Sequence, residues 1–206
     1  MGTLGNGLSD AGRHADALSV REAELAMRRR LGASANNILD IQNNLACTYY
    51  KLGRFEQALR MRQDVYSGRL KLGGEESDRT LSAASNVAHS LNGLQRFEAA
   101  KTLLRKNVPV ARRVLGDSNY TTLRMRWSYA VALVNVDGST LDDLRGAVTT
   151  LEETERTARR VLGGSHPIMP QFEDALQKAR RVLGAREAGK SVVFRKPADA
   201  AGPGTA

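Results

Sequence analysis

Three histidines, one cysteine and one adjacent acidic pair are the side chains from which a reactive centre would have to be assembled. His14, His89 and His166 are far apart, and none has a second histidine one helical turn away, the spacing that lets two imidazoles share a metal ion. Asp142 and Asp143 are neighbours. On a helix adjacent side chains point about 100° apart and do not easily chelate one cation, so helix capping is their better use. Leu72–Glu75 reads LGGE, which lacks the Lys and Ser/Thr of a phosphate loop. Cys47 has no His or Asp near it in sequence and reads as a small helix residue. The residues compose no catalytic constellation. The expectation is a non-enzymatic chain with no metal and no cofactor.

What does recur is an amide. Asn44 and Asn86 lie forty-two residues apart, each inside a segment that reads as helix. Asn is a mediocre helix former, because its side chain competes for backbone hydrogen bonds, so its recurrence at mid-helix calls for a reason. One amide both donates and accepts, which suits it to the backbone of an extended peptide of loose sequence. The competing reading is that both are solvated surface groups or caps.

The elements that carry these amides repeat with them. Asn43–Leu59, NNLACTYYKLGRFEQAL, returns as SNVAHSLNGLQRFEAAK, and Phe55/Phe97 and Ala58/Ala100 share the offset of forty-two. Such a period marks a solenoid. Ala46, Ala58, Ala88 and Ala100 stand where two helices must approach closely. Leu45, Tyr49 and Leu52 share one helical stripe, as do Val87, Leu91 and Leu94. Gly53 occupies the position after a helix end where a left-handed conformation costs glycine little, and Gln95 replaces it in the next unit with a weaker cap expected. Phe55 and Phe97 then open the second helices and are expected to pack back across the hairpins.

This pattern of Leu, small residue, aromatic, turn Gly, aromatic and Ala resembles the tetratricopeptide repeat, whose usual period is thirty-four. The longer period, with a Leu-Gly closing each second helix, resembles the kinesin light chain type of repeat over about residues 3–184. The fold class expected is all-α: a right-handed α-solenoid of tetratricopeptide-like helical hairpins with a terminal capping helix. In domain terms residues 1–186 form the solenoid, with a partial unit at 1–32, full units at 33–74 and 75–116, an extended unit at 117–164 and the capping helix at 165–186. Residues 187–206 read as a disordered tail, in which SVVF could pair as a short strand.

Details along the chain refine this. The first helix, aligned on residues 3–12, is half present, carries Gly5 and Gly7, and is expected to fray; the chain begins mid-repeat, as a fragment of a longer array or a shortened gene product would. A loop is expected at Ala33–Asn37 and a helix from about Ile38. Pro109 interrupts a strong apolar stripe and predicts a bend without a break. The third unit has a turn five residues longer, VDGSTLDDL, in which Ser139 or Thr140 with Asp142 or Asp143 resembles a capping box. His166–Pro167 is expected to start the last helix.

Composition agrees with a soluble repeat protein: of 206 residues 26% are charged and 41% apolar. One cysteine excludes an internal disulfide framework and suits a reducing compartment. No apolar run approaches a membrane span of about 20 residues. A cytoplasmic monomer without membrane contact is expected. The net charge of +9 invites a nucleic-acid reading. However, Arg29–Arg30, Arg112–Arg113, Arg159–Arg160 and Arg180–Arg181 each precede a Leu-Gly or Val-Leu-Gly helix end, where cations complement the helix dipole.

With Leu45 and Ala46 buried, the opposite stripe of the first helices faces the concave groove. It takes Asp40, Asn43, Asn44, Cys47, Tyr50 and Lys51, then Ser82, Ser85, Asn86, His89 and Asn92, then Arg124, Trp127, Ser128, Val131 and Asn135. The candidate peptide-binding set is Asn43, Asn44, Tyr50, Lys51, Ser82, Asn86, His89, Arg124 and Ser128. The resemblance implies that Asn44 and Asn86 hold peptide backbone, as asparagines at this position do in peptide-binding tetratricopeptide domains. Ser128 stands at the third rung and shortens the ladder. Arg124 could hold a carboxylate. Trp127 reads as a wedge between units. The expected function is a non-enzymatic protein–protein interaction scaffold that binds an extended peptide, acidic or mixed in charge. A basic nucleic-acid binder, which is disfavoured, and the structural repeat portion of a larger multidomain protein are the alternatives.

Overall fold

The computed structural model describes residues 7–8 and 12–189. The expectations for the frayed half-helix at residues 3–12 and for the tail, SVVF included, fall almost wholly outside the described residues. Among the described residues the elements are eight helices: α1 His14–Arg30, α2 Ala35–Lys51, α3 Phe55–Gly73, α4 Asp78–Gly93, α5 Phe97–Leu115, α6 Tyr120–Asn135, α7 Leu141–Leu162 and α8 Met169–Glu187. Each packs on its sequence neighbours, α4 also touches α6, and α6 also touches α8. This is a solenoid of stacked hairpins. The first helices α2, α4 and α6 form one layer, the second helices α1, α3, α5 and α7 the other, and α8 covers the end.

Small side chains set the spacing. Ala17, Ala46, Ala58, Ala88, Ala100, Ala130 and Ala147 are all fully buried. Larger residues fill between them: Leu59, Val87, Leu91, Ala100 and Ala132 form one cluster across α3 to α6, and Ala130, Leu144, Leu151, Leu176 and Val182 another that joins α6 and α7 to α8. A methyl group at the close approaches admits helix contact without a cavity, whereas any extra methylene there forces backbone movement.

Three hairpin turns share one geometry. After α2 the Gly53 amide donates to the Tyr50 carbonyl and the Arg54 amide to the Tyr49 carbonyl, with Gly53 at φ 74°. The Gly32 turn after α1 repeats both bonds, and after α4 the Gln95 and Arg96 amides donate to Asn92 and Leu91. Gln95 adopts the left-handed conformation at φ 58°, the one non-glycine residue among those described to do so.

Elsewhere the boundaries shift by identifiable caps. The helix expected from Ile38 starts at Ala35, because the Ser34 hydroxyl accepts from the Asn37 amide at 3.3 Å. The last helix starts at Met169, not at His166–Pro167, since His166 Nδ1 accepts from the Ile168 amide and turns the chain first. Thr140 and Asp143 form the expected capping box, each side chain bonding the other's backbone amide. Helix α5 continues through Pro109 to Leu115. Phe55 does lie against the hairpin, its ring 5.0 Å from that of Tyr50, although it remains 41% exposed.

The strained turn gives a direct test. Gln95→Gly removes the left-handed penalty of a β-carbon and is expected to stabilise the chain by about 1 kcal/mol. Thermal unfolding should shift upward by about 2–4 °C, and an unchanged or lowered midpoint would remove the strain from this turn.

Candidate functional site

The first-helix layer presents its residues in register because the units stack. Asn86 of α4 donates through Nδ2 to Asn43 Oδ1 of α2 at 3.0 Å. Its own Oδ1 accepts from both terminal nitrogens of Arg124 on α6 at 3.3 Å. The line Asn43–Asn86–Arg124 therefore crosses three successive first helices. All three side chains are partly exposed.

Beside that line runs a series of rings. Phe55, Tyr50, His89, Trp127 and Phe172 follow one another at centroid separations of 5.0, 5.1, 6.5 and 5.7 Å. Tyr50, His89 and Trp127 come one from each first helix. Gly93 lets this happen: a β-carbon there would lie 2.9 Å from the Tyr50 hydroxyl. The guanidinium of Arg62 lies 5.0 Å over the Tyr50 ring, and that of Arg124 lies 5.6 Å over Tyr120.

Two openings flank Asn86. One, of about 250 Å³, is lined by Asp40, Asn43, Arg69, Asp78, Arg79, Ser82 and Asn86 among others, and within it Asp40 meets both Arg69 and Arg79. The other, of about 380 Å³, includes Cys47, Arg62, His89, Tyr120, Arg124 and Trp127, and no carboxylate lines it. A wider opening of about 630 Å³ lies between α3 and α5, against Tyr66, Leu91 and Leu103. That one offers apolar contact but no cation.

The electrostatics of the cleft follow from its two guanidiniums. Burial first, then the charges of Arg124 and Arg62, push His89 down to about 4, so it is neutral at pH 7. Burial also lowers the Arg124 guanidinium from its ordinary value, with Tyr120 opposing and Arg62 reinforcing the shift. Neither Arg62 nor Arg124 has a carboxylate partner among the described residues.

The residues singled out from the sequence divide accordingly. Asn43, Asn86, Tyr50, His89 and Arg124 converge on the line and the ring series, and Ser82 lines the smaller opening. Asn44 is exposed; its backbone carbonyl accepts from Arg21 at 3.1 Å. Lys51 is exposed and lines none of these openings. Ser128 does not face an open groove: it is 2% exposed, and its carbonyl accepts from Asn92 Nδ2 at 2.9 Å. The reason is that α6 is packed on three sides, by α5, α7 and α8, with α4 beneath. Trp127 is the expected wedge, stacked on Phe172 with Nε1 donating to the Gln171 carbonyl at 3.3 Å, and it also borders the cleft.

A second recurrence went unread in the sequence. Arg21 and Arg62 sit at equivalent places on α1 and α3, 6% and 5% exposed. Arg21 donates to the Asn44 carbonyl and the Thr48 hydroxyl of the next first helix. Arg62 donates to the Asn86 carbonyl at 3.2 Å and the Ser90 hydroxyl at 2.6 Å. The signal was present as an Arg spaced forty-one and a Thr/Ser spaced forty-two. The Arg pairs near the helix ends are different. Arg112 bonds Asp117, Arg113 bonds Glu76, Arg159 bonds Glu155 and Glu173, and Arg180 bonds Glu152. Among the described residues no group of three or more His, Cys, Asp or Glu is placed to hold a metal ion, and no helix is long and apolar enough to cross a membrane.

Comparison with known proteins agrees with this architecture. Two family models, each described as tetratricopeptide repeat, match residues 1–71 and 80–119. A crystal structure of Podosopora anserina nearly identical TPR-like repeats, provisionally described as a kinesin light chain, superposes with a TM-score of 0.69 at 20% identity, covering 90% of this chain and 86% of that one. A variant of the same protein gives 0.70 at the same identity and coverage. BtubC (BKLC) from P. vanneervenii gives 0.53 at 17% identity, over 98% of this chain and 85% of that one. No curated protein sequence matches the chain.

The neutral His89 makes a prediction about acid. Its folded pKa lies below the ordinary value of 6.5, so the unfolded chain binds more protons between about 4 and 6.5. Stability is therefore full above pH 6.5 and falls as pH drops toward 4, by up to about 3 kcal/mol from this group alone. His89→Gln should flatten the slope of unfolding free energy against pH in that window, measured by urea denaturation. An identical slope in the variant would mean His89 is not held neutral.

Proposed function

Because the chain belongs to the tetratricopeptide-repeat family, whose members are in general protein–protein interaction scaffolds, we propose that it holds an extended segment of a partner protein along the concave face of its first helices. The observation that carries this reading is the line Asn43–Asn86–Arg124, one partly exposed polar side chain from each of three stacked units. An extended peptide advances about 3.3 Å per residue, so neighbouring units meet backbone groups a few residues apart. Amides on the unit spacing engage them without regard to side-chain identity. Asn43 keeps its NH₂ group for such contacts, and Asn44 is an exposed addition on the same helix.

The ring series supplies the apolar half of the surface. Tyr50, His89 and Trp127 form a shelf on which partner side chains lie, while Arg62 and Arg124 favour partners with negative charge. A nucleic-acid partner is the poorer reading. Stacking of bases needs freely exposed rings and loose cations, whereas Trp127 is wedged on Phe172 and many of the helix-end arginines are engaged with carboxylates.

The test is a peptide selected from a random display library on the full chain, followed through Trp127, the single tryptophan. Asn43→Ala with Asn86→Ala removes two amide contacts of about 1 kcal/mol each and is expected to weaken binding about 30-fold with a cooperative melt retained. Unchanged affinity in the double variant would overturn the groove reading.

A further inference from the structure

The cleft beside Asn86 has an unbalanced charge. Arg62 is 5% exposed and Arg124 is largely withdrawn from water, yet no carboxylate lines the space they share. Several other arginines of these layers do have carboxylate partners: Arg69 meets Asp40, Arg126 meets Glu153, and Arg159 meets Glu155 and Glu173. Two desolvated cations with no counter-charge are costly, and the cost is recovered when an anion enters.

The donors available set the kind of anion. A guanidinium presents five N–H groups. Those of Arg124 meet a single acceptor, Asn86 Oδ1, through two bonds of 3.3 Å that are long for a hydrogen bond. Arg62 keeps Nε without an acceptor, though its terminal nitrogens reach Asn86, Ser90 and Cys47. A carboxylate would neutralise one of the two cations. A phosphate monoester carries about −1.5 to −2 charges at pH 7 and three acceptor oxygens, so it balances both. The neutral His89 and the ring of Tyr120 close the sides without adding negative charge. Because Asn86 belongs to both the cleft and the polar line, an anion bound here is continuous with a peptide lying on that line.

Resting on the groove reading above, we propose that the cleft between Arg62 and Arg124 is a phosphate-monoester subsite, and that the partner segment is one bearing a phosphorylated side chain. Binding would then be switched by phosphorylation of the partner, with Arg124 releasing Asn86 to form shorter charge-assisted bonds to the phosphate.

The probes are N-acetyl-phosphoserine methylamide, its glutamate and serine counterparts, and inorganic phosphate, each titrated into the full chain at constant ionic strength while Trp127 emission is read. The expected result is saturable binding of the phosphoserine probe about tenfold tighter than the glutamate probe, and weakened about tenfold by Arg124→Gln. Arg124→Lys, which keeps the charge but not the fork, should recover part of the loss, and a cooperative thermal melt recorded for each variant shows that it remains folded. A glutamate probe that equals phosphoserine, no response to Arg124→Gln, or free phosphate binding as tightly as the phosphoserine probe would each overturn the proposal. These probes are too short to span the polar line. Their failure therefore leaves the groove reading standing, whereas failure of the Asn43/Asn86 test with selected peptides removes the peptide that the proposal places beside the subsite, while the short probes still report on the subsite itself.

Discussion

A guanidinium removed from water must be repaid by acceptors, and in this chain the acceptors lie on the next hairpin. Arg21 of α1 reaches the Asn44 carbonyl and Thr48 of α2, and Arg62 of α3 reaches the Asn86 carbonyl and Ser90 of α4. Each contact joins the second helix of one unit to the first helix of the following unit. Apolar packing alone tolerates sliding, whereas a buried cation tied to one carbonyl and one hydroxyl tolerates little, because a shift strands the charge. These rungs hold the register between units. That register places Asn43 beside Asn86, and Tyr50 beside His89, across unit boundaries. The third boundary has no such rung. Leu104 stands at the equivalent place, fully buried, and this boundary is crossed instead by the Thr122 hydroxyl donating to the Ala111 carbonyl, by Arg124 on Asn86 and by Asn92 on the Ser128 carbonyl, with apolar contacts around them.

The alanines and the arginines divide the work. Fully buried alanines at each hairpin crossing set how closely helices approach, and the arginines set where along their length they meet. The first-helix face is left free of packing duty over Asn43, Asn86, His89 and Arg124. Asn86 bonds Asn43 at an ordinary 3.0 Å, but its two contacts from Arg124 are long at 3.3 Å, so a partner's acceptor gains most by engaging Arg124. Trp127 closes this face at one end, where α8 brings Phe172 and Gln171 against it.

Much of this was legible from the residues. The offset of forty-two carried Phe55 and Phe97, the buried alanines and the Gly53 turn with its Gln95 counterpart, because repeats copy local geometry and local geometry is what sequence encodes directly. The Thr140–Asp143 cap was readable for the same reason. Contacts between units were not. Asn86 touches Asn43, its offset neighbour less one, since stacked helices are rotated relative to each other and equivalent residues need not meet. Ser128 lay on the right stripe of its helix, but α6 is packed on more sides than α2, which no helical period reveals. Arg21 and Arg62 stand out from no helical stripe, and only a recurring Arg opposite a recurring Thr/Ser gives a clue to their buried pairing.

The central claim is that the first-helix face around Asn86 is where a partner segment lies. The measurement that addresses it most directly is a two-dimensional ¹H–¹⁵N spectrum that resolves side-chain amide, guanidinium and indole signals, recorded as a selected peptide is added. The account predicts that the side-chain signals of Asn43, Asn86, Arg124 and Trp127 move together, while Gln63 and Gln57 on α3 stay in place. Movement centred on Gln63 with Asn43 and Asn86 unmoved would put the partner on the second-helix face and contradict the account.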